Sequence, residues 1–167
     1  MESKESILLK SLVSYYESHP HSMSMVTSFL KHHHKNKHGV VSLRILDWLV
    51  TNYAKRHNVV YQLVRHGEFN SFNVFVEYKA MLKGYSKRFF DPFCRRSRVV
   101  FRGADGETLE TTVGQLNFFR WAVEHDVVTY AIDHAADIEN DMLHVEEKSC
   151  AVQGMTHTHV ILKLKFS

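Results

Sequence analysis

Basic residues are concentrated in one short stretch near the middle of the chain. Between Lys79 and Arg102 the sequence holds eight lysines and arginines, and Asp91 is the single acidic residue among them. Fixed cations at this density are the groups that bind the phosphates of DNA or RNA, with release of counterions. The predicted nucleic-acid-binding residues, called the basic strip below, are Lys79, Lys83, Lys87, Arg88, Arg95, Arg96 and Arg98.

The lysines of the basic strip recur every four residues, which would place them on one face of a helix. Arg95 and Arg96 follow just past Pro92 and could prolong that face. Exposed Tyr78 or Tyr85 could add base stacking if the nucleic acid is single-stranded. Two alternatives stay open: the strip pairs with acidic residues of its own chain, or it is an ordinary solvated surface. The exposure of these side chains decides between them.

An acidic block follows the basic strip. Between Ala104 and Glu147 the sequence holds eleven aspartates and glutamates but one basic residue, Arg120, although the whole chain carries a net charge of +3. The strip of one copy could therefore contact the acidic block of another and build a head-to-tail homo-oligomer. The second hypothesis is accordingly a virion structural or assembly protein that binds other virion proteins or itself.

Cys94 is the thiol whose setting could favour covalent chemistry, because Arg95 and Arg96 follow it and nearby cations stabilise a thiolate. No motif ties a histidine or asparagine to it, and packing with Phe90 and Phe93 is the simpler interpretation. A third hypothesis, an enzyme with an unfamiliar site, would require a deep pocket around Asp91, Cys94 and the arginines. The sequence predicts no catalytic residue.

Thirteen histidines raise the question of a metal site. His34 and His38 have the spacing of two ligands on one helix face, but no cysteine or carboxylate follows at ligand spacing. Exposed surface histidines are the favoured interpretation. We therefore predict neither a metal nor a cofactor.

Hydrophobic spacing predicts the helices that position these residues. The predicted N-caps are Ser22, Ser42 and Thr112, because a short polar side chain there can accept a hydrogen bond from the first turn. Pro92 prevents the helix that carries the lysines from continuing. The predicted helical ranges are 4–18, 22–30, 42–57, 71–89, 112–125 and 127–147.

Three segments are predicted to form strands. Residues 58–64 are short and β-branched, which favours a strand, although they could equally extend the helix bundle. Residues 98–111 form a predicted hairpin around Ala104, Asp105 and Gly106. Residues 160–166 alternate between apolar and polar side chains, and would add a third strand to the hairpin. The expected fold is α+β, a mainly helical single domain over 1–167 with a small antiparallel sheet, in which residues 1–40 form a peripheral helical hairpin closed by a surface turn at 31–39.

Three stretches together carry a resemblance: LDWLVTNYAK (46–55), YKAMLKGYSKRFFDPFCRR (78–96) and TTVGQLNFFRWAVEH (111–125). They resemble a conserved, largely uncharacterised protein family of the nucleocytoplasmic large DNA viruses, the group of the mimiviruses and their relatives. The resemblance implies a viral protein that acts in the virus factory of the host cytoplasm or in the virion, and it implies no reaction. The absence of a signal peptide or an apolar run of membrane-span length agrees with this location and predicts no membrane partner.

The matching stretches contain motif residues whose role the sequence does not define: Asp91, Pro92, Cys94, Gln115, Asn117 and Trp121. If Asp91, Gln115 and Asn117 converge with Arg95 and Arg96 on an open surface, they form a site. If they are buried and hydrogen-bonded to one another, they hold the fold.

Overall fold

Helices make up most of the chain in the computed structural model, which describes residues 1–32 and 41–166, with side chains for 1–31 and 41–151. The helical elements are α1 (Lys4–Ser18), α2 (Pro20–His32), α3 (Leu43–Trp48), a π-helical turn (Leu49–Tyr53), α4 (Ala54–Arg56), α5 (Val74–Phe89), α6 (Val113–Glu124), α7 (Val127–Asp133) and α8 (Ala135–Phe166). The strands are β1 (Val60–Arg65), β2 (Glu68–Asn73), β3 (Arg98–Arg102) and β4 (Thr108–Thr112). This composition confirms the predicted α+β class.

Polar caps fix where several helices begin. Ser42 Oγ accepts a hydrogen bond from Ile45 N at 3.2 Å, and Thr112 Oγ1 accepts one from Gln115 N, also at 3.2 Å, so both predicted caps are confirmed. Helix α1 has the predicted bounds. Helix α2 begins at Pro20 rather than behind Ser22, since proline is well suited to the first turn of a helix, where its missing N–H is not needed.

The first hairpin pairs β1 with β2 in antiparallel register, from Val60 opposite Asn73 to Arg65 opposite Glu68. Its two-residue turn, His66-Gly67, has positive φ at both positions, as a type I′ turn requires. The strand predicted at 58–64 is thus confirmed, but the helix predicted from Ser71 begins three residues later. Asn73 accepts a hydrogen bond from Val76 N and caps that helix, which leaves Ser71 in β2.

The second hairpin pairs β3 with β4, and it confirms the predicted hairpin at 98–111. The predicted third strand is wrong, because residues 160–166 belong to α8. Between Ala135 and Phe166 there is no proline and one glycine, Gly154, so nothing in that range ends a helix. The helix predicted over 127–147 is in turn divided at His134. No helix in the described ranges combines the length and apolarity that crossing a bilayer requires.

Helix α6 lies at the centre of the hydrophobic core. Leu116, Phe118 and Phe119 are fully buried, and α1, α2 and α5 all pack on this helix. The Phe29 ring of α2 stacks on Phe119 with centroids 4.9 Å apart, and Tyr16 of α1 donates a hydrogen bond to Leu116 O at 2.6 Å. Helices α1 and α2 therefore contribute to the core. The separate status of residues 1–40 stays a prediction. Helix α2 extends into the predicted surface turn as far as His32, and the rest of that turn, residues 33–39, lies outside the described ranges.

Asp141 of α8 anchors that helix to α3 and α4. Its carboxylate accepts a hydrogen bond from Trp48 Nε1 at 2.8 Å, lies 3.0 Å from His57 Nε2 and pairs with the Arg56 guanidinium. Burial alone would raise the pKa of this carboxyl, but the hydrogen bonds from His57 and Trp48 and the charge of Arg56 hold it below its usual value. The anchor thus joins the last residue of α3 and the C-terminal end of the helical segment 43–57 to one point on α8.

Candidate nucleic-acid interface

All seven side chains of the basic strip are exposed. Two of them form ion pairs: Arg88 with Glu5 at 3.2 Å, and Arg98 with Glu110 at 2.7 Å. No carboxylate in the described part of the chain forms an ion pair with the other five, which are Lys79, Lys83, Lys87, Arg95 and Arg96. Most of the strip is therefore available to an external anion.

A kink in α5 interrupts the predicted row of lysines. Ser86 has φ 66° and ψ 166°, a conformation outside the helical region that is costly for any residue with a side chain. Lys79 and Lys83 precede the kink and share one face of the regular helix, whereas Lys87 follows it. The expectation of three lysines on one continuous surface is corrected to two lysines and a separate third.

Lys87 lies within electrostatic reach of Asp47 in α3. Burial raises the pKa of the Asp47 carboxyl, the negative charge of Asp91 raises it further, and the Lys87 ammonium partly opposes both. Lys87 is thus partly compensated by its own chain, although it forms no direct ion pair with a described residue. Lys79, Lys83, Arg95 and Arg96 are the better candidates for contacts with phosphate.

The acidic block pairs mainly with basic residues outside the strip. Lys31 binds Asp105 and Glu107, Arg44 binds Glu146, Arg56 binds Asp141 and Arg120 lies 3.8 Å from Glu124. Among the described ion pairs of the block, that of Glu110 alone includes a residue of the strip. The alternative that the strip is neutralised by the downstream acids therefore holds for Arg98 and not for the lysines.

The segment FDPFCRR (residues 90–96) is hydrogen-bonded to the N-terminal half of α6. Asp91 N donates to Gly114 O at 3.2 Å and Thr112 Oγ1 donates to Cys94 O at 3.1 Å. In the same way Gln115 Nε2 donates to Pro92 O at 2.9 Å, and Asn117 Nδ2 donates to Phe89 O at 2.8 Å. Two of the segments that carry the resemblance, residues 78–96 and 111–125, are thus in contact here. Their hydrogen bonds hold the backbone that carries Arg95 and Arg96.

The motif residues divide between the interior and the surface. Pro92, Cys94, Asn117 and Trp121 are buried, and Asp91 and Gln115 are half-buried. Cys94 Sγ lies 3.5 Å from Arg88 O and packs beneath the turn, while the Trp121 ring contacts Phe90. None of the six motif residues is exposed, whereas Phe93, Arg95 and Arg96 are, so the motif residues support the surface rather than form it.

The tyrosines expected to stack on bases face the interior. Tyr78 is buried, and its burial, followed by the charges of Asp47 and Asp91, raises its pKa to about 12. Tyr85 is half-buried against Phe90. Phe93 is the ring that reaches the surface, with 45% of its area exposed. The exposure that base stacking by Tyr78 or Tyr85 would require is therefore lacking at Tyr78 and only partial at Tyr85.

A cavity of about 370 Å³ opens beside Arg95, on the side of the segment 90–96 that faces α3. Its lining combines segments distant in sequence, which are residues 29–30, 42–44, 93–95 and 110–112 together with Arg98 and Gln115. Sequence reasoning does not place Ser42 and Arg44 here, because they lie 53 and 51 positions before Arg95 and no spacing rule connects contacts of that range.

Comparison with known proteins gives a match over nearly the whole chain. The model of a "Family of unknown function (DUF7197)" matches residues 3–159. The chain belongs to the DUF7197 family. It is 40% identical over 119 residues to "Uncharacterized protein L507" of Acanthamoeba polyphaga mimivirus, which confirms the resemblance to proteins of large DNA viruses. The aligned region covers 68% of this chain and 46% of the mimivirus protein, so the DUF7197 chain spans about half the length of that relative. No solved structure matches.

The expected absence of a metal site in the DUF7197 chain stays a prediction. Within the ranges that the structure describes, no three histidine, cysteine or acidic side chains lie together as they would around a metal ion. His34 and His38, which have the ligand spacing, lie outside those ranges.

Thr112 provides a direct test of how α6 holds the arginine-bearing segment of the DUF7197 chain. Thr112→Val keeps the shape of the side chain but removes the hydroxyl that caps α6 and donates to Cys94 O. We expect a loss of about 1–2 kcal/mol in the free energy of unfolding, as for a lost cap and an unsatisfied buried carbonyl. Urea denaturation measures it as a lower midpoint at unchanged slope. Thr108→Val, at an exposed position of β4, is the control, and equal midpoint shifts in both variants would contradict the role of the hydroxyl.

Proposed function

We propose that the protein is a non-enzymatic viral protein that binds nucleic acid, DNA or RNA, through the basic strip, in the virus factory of the host cytoplasm or in the virion. The observation that carries this proposal is that five cations of the basic strip are exposed and form no ion pair with a described residue: Lys79, Lys83, Lys87, Arg95 and Arg96. Several unpaired cations on a protein surface favour binding of a polyanion, because binding releases the counterions that are condensed on the polyanion.

The construction of the surface supports the same proposal. Arg95 and Arg96 extend from a segment whose carbonyl groups accept hydrogen bonds from Thr112, Gln115 and Asn117. A fixed backbone lowers the entropy lost when the arginines bind a phosphate. The resemblance to a mimivirus protein supports the viral setting.

Fluorescence polarisation with labelled single-stranded DNA, double-stranded DNA and RNA at low salt tests the proposal. The variant is the double charge reversal Lys79→Glu with Lys83→Glu, because these two lysines precede the kink in α5 and neither is among the charges that act on the Asp47 carboxyl. We expect affinity to fall at least tenfold, and the slope of log K against log salt to become shallower by about 1 per lysine.

The matched control is Lys10→Glu with Lys148→Glu, two exposed positions outside the strip. Both double variants carry a formal net charge of −1 instead of +3, so a difference between them measures position rather than total charge. Equal losses in the two variants would reduce the effect to nonspecific attraction. Wild-type protein with no affinity for any of the three nucleic acids at low salt would overturn the proposal.

A virion assembly role through contact between copies is the second candidate. The observation in its favour is that part of the acidic block is exposed and forms no ion pair with described residues, namely Asp133, Asp137, Glu139 and Glu147. The strip of one copy could bind this surface on another. Light scattering at high protein concentration and low salt distinguishes the two: a salt-sensitive oligomer supports assembly, and a monomer contradicts it.

A further inference from the structure

The cavity beside the basic strip carries an inference about the ligand. We propose that it binds a nucleoside phosphate, with the phosphate on Arg95 and the base against the Phe93 ring. The ligand can be a free nucleotide or one unpaired nucleotide of a strand; the second case rests on the proposed function, whereas the first does not.

The charge of the lining favours an anion. Arg44, Arg95 and Arg98 line the cavity, and Glu110 is the one acidic residue among its lining residues. Glu110 and Glu146 pair with Arg98 and Arg44. Arg95 has no ion pair with a described residue. Its planar guanidinium offers parallel N–H donors that match two oxygens of a phosphate.

The uncharged polar side chains of Thr111, Thr112 and Gln115, which also line the cavity, are already engaged in hydrogen bonds. Thr111 Oγ1 donates to Gln115 Oε1 at 3.0 Å, Gln115 Nε2 donates to Pro92 O, and Thr112 Oγ1 donates to Cys94 O. These groups are therefore occupied in holding the segment 90–96. An anion that enters the cavity finds its donors on the arginines.

Phe93 supplies the aromatic surface. Of the two rings in FDPFCRR, Phe90 is fully buried, whereas 45% of the Phe93 surface is exposed and the ring lines the cavity. An aromatic ring next to cationic donors is the usual arrangement for binding an unstacked base together with its phosphate. The volume of about 370 Å³ lies within the range of roughly 300–1,000 Å³ of small-molecule sites.

Phe93 and Arg95 extend from a backbone that is held in place between them and on both sides. Asp91 Oδ1 accepts a hydrogen bond from Phe93 N at 3.0 Å, and Cys94 N donates to Asp91 O at 3.2 Å. Because Cys94 is also tied to α6 through Thr112, the distance between the two side chains is set before a ligand arrives. This arrangement gives the buried motif residues a role in positioning the site.

Isothermal titration of the full chain with adenosine 5′-monophosphate, inorganic phosphate and adenosine tests the inference. We expect the monophosphate to bind more tightly than phosphate or adenosine alone, because it is the ligand that reaches both the arginine and the ring. Arg95→Ala and Phe93→Ala should each weaken it about tenfold or more. The matched controls Arg65→Ala and Phe69→Ala, at exposed positions of the first hairpin, should leave its affinity unchanged.

Competition by oligonucleotides identifies the source of the ligand. Displacement of the monophosphate by a short single strand, but not by a blunt duplex, assigns the cavity to an unpaired nucleotide; no displacement by either assigns it to a free nucleotide. The inference is overturned if the monophosphate fails to bind, or if phosphate alone binds equally well. In those cases nucleic-acid binding that depends on Lys79 and Lys83 would still stand, and monophosphate binding without any nucleic-acid binding would refute the proposed function instead.

Discussion

Phe90→Ala is expected to lower the free energy of unfolding by about 3–5 kcal/mol, the usual cost of removing a fully buried ring. Phe90 has no exposed surface, and its ring lies 5.3 Å from that of Phe118 and 5.5 Å from that of Trp121. It also contacts Tyr78 of α5, so its removal would leave a cavity between α5 and α6. Thermal denaturation should show a loss of about 6–20 °C, at roughly 2–4 °C per kcal/mol for a chain of this size.

The neighbouring ring offers a control with the same chemistry. Phe93→Ala removes an identical side chain three residues away, yet 45% of it is exposed, so its effect on stability should stay below about 1 kcal/mol. If the two variants unfold at the same temperature, the interpretation that Phe90 supports the core while Phe93 faces a ligand is wrong.

Gly114→Ala is expected to destabilise the protein by about 2–3 kcal/mol, towards the upper end of overpacking effects. A Cβ atom at this position would lie 2.9 Å from Arg88 O and 2.9 Å from Cys94 Cβ. Since the first of these is backbone, the segment 88–94 must move away from α6. We expect a lower urea midpoint, and weaker binding of nucleic acid because the arginines of that segment lose their fixed position.

Gly84→Ala separates the steric effect from helix propensity. Gly84 lies in α5, where a methyl group would extend into open space, so alanine there should stabilise the helix by up to about 1 kcal/mol. Opposite signs at the two glycines are the expected result. A stabilising Gly114→Ala would show that α6 and the segment 88–94 are not in close contact.

Local rules predicted the elements whose stabilising interactions are local. The ends of α1, the caps Ser42 and Thr112, and the β3–β4 hairpin each depend on residues within a few positions of one another. Strand β2 escaped prediction because its sequence EFNSFN is polar and largely exposed, and pairing with β1 stabilises it. The prediction of a strand at 160–166 was wrong. Alternation of apolar and polar side chains over seven residues is a weaker signal than the absence of any residue that would end the preceding helix.

The candidate site could be predicted as a set of residues but not as an arrangement. Charge counting identified the basic strip, and its exposure agrees with that prediction, while its binding role stays a prediction. The kink at Ser86 has no sequence signal, since serine and not glycine occupies the positive φ. Packing between distant segments brings Glu5 to Arg88, and it brings Ser42 and Arg44 close to Arg95.

The π-helical turn determines the direction around the helix axis in which the residues after it point, and therefore which of them face Asp141. Along a regular α-helix, the eight residues from Trp48 to Arg56 rotate through about 800°, which leaves Arg56 roughly 80° beyond Trp48. The wider turn at Leu49–Tyr53 absorbs that excess and brings the Arg56 guanidinium over the Trp48 ring, 5.6 Å from its centroid. Wound regularly, the same residues would direct Arg56 and His57 to another side of the helix, and Trp48 would be the single donor of the three left to the carboxylate.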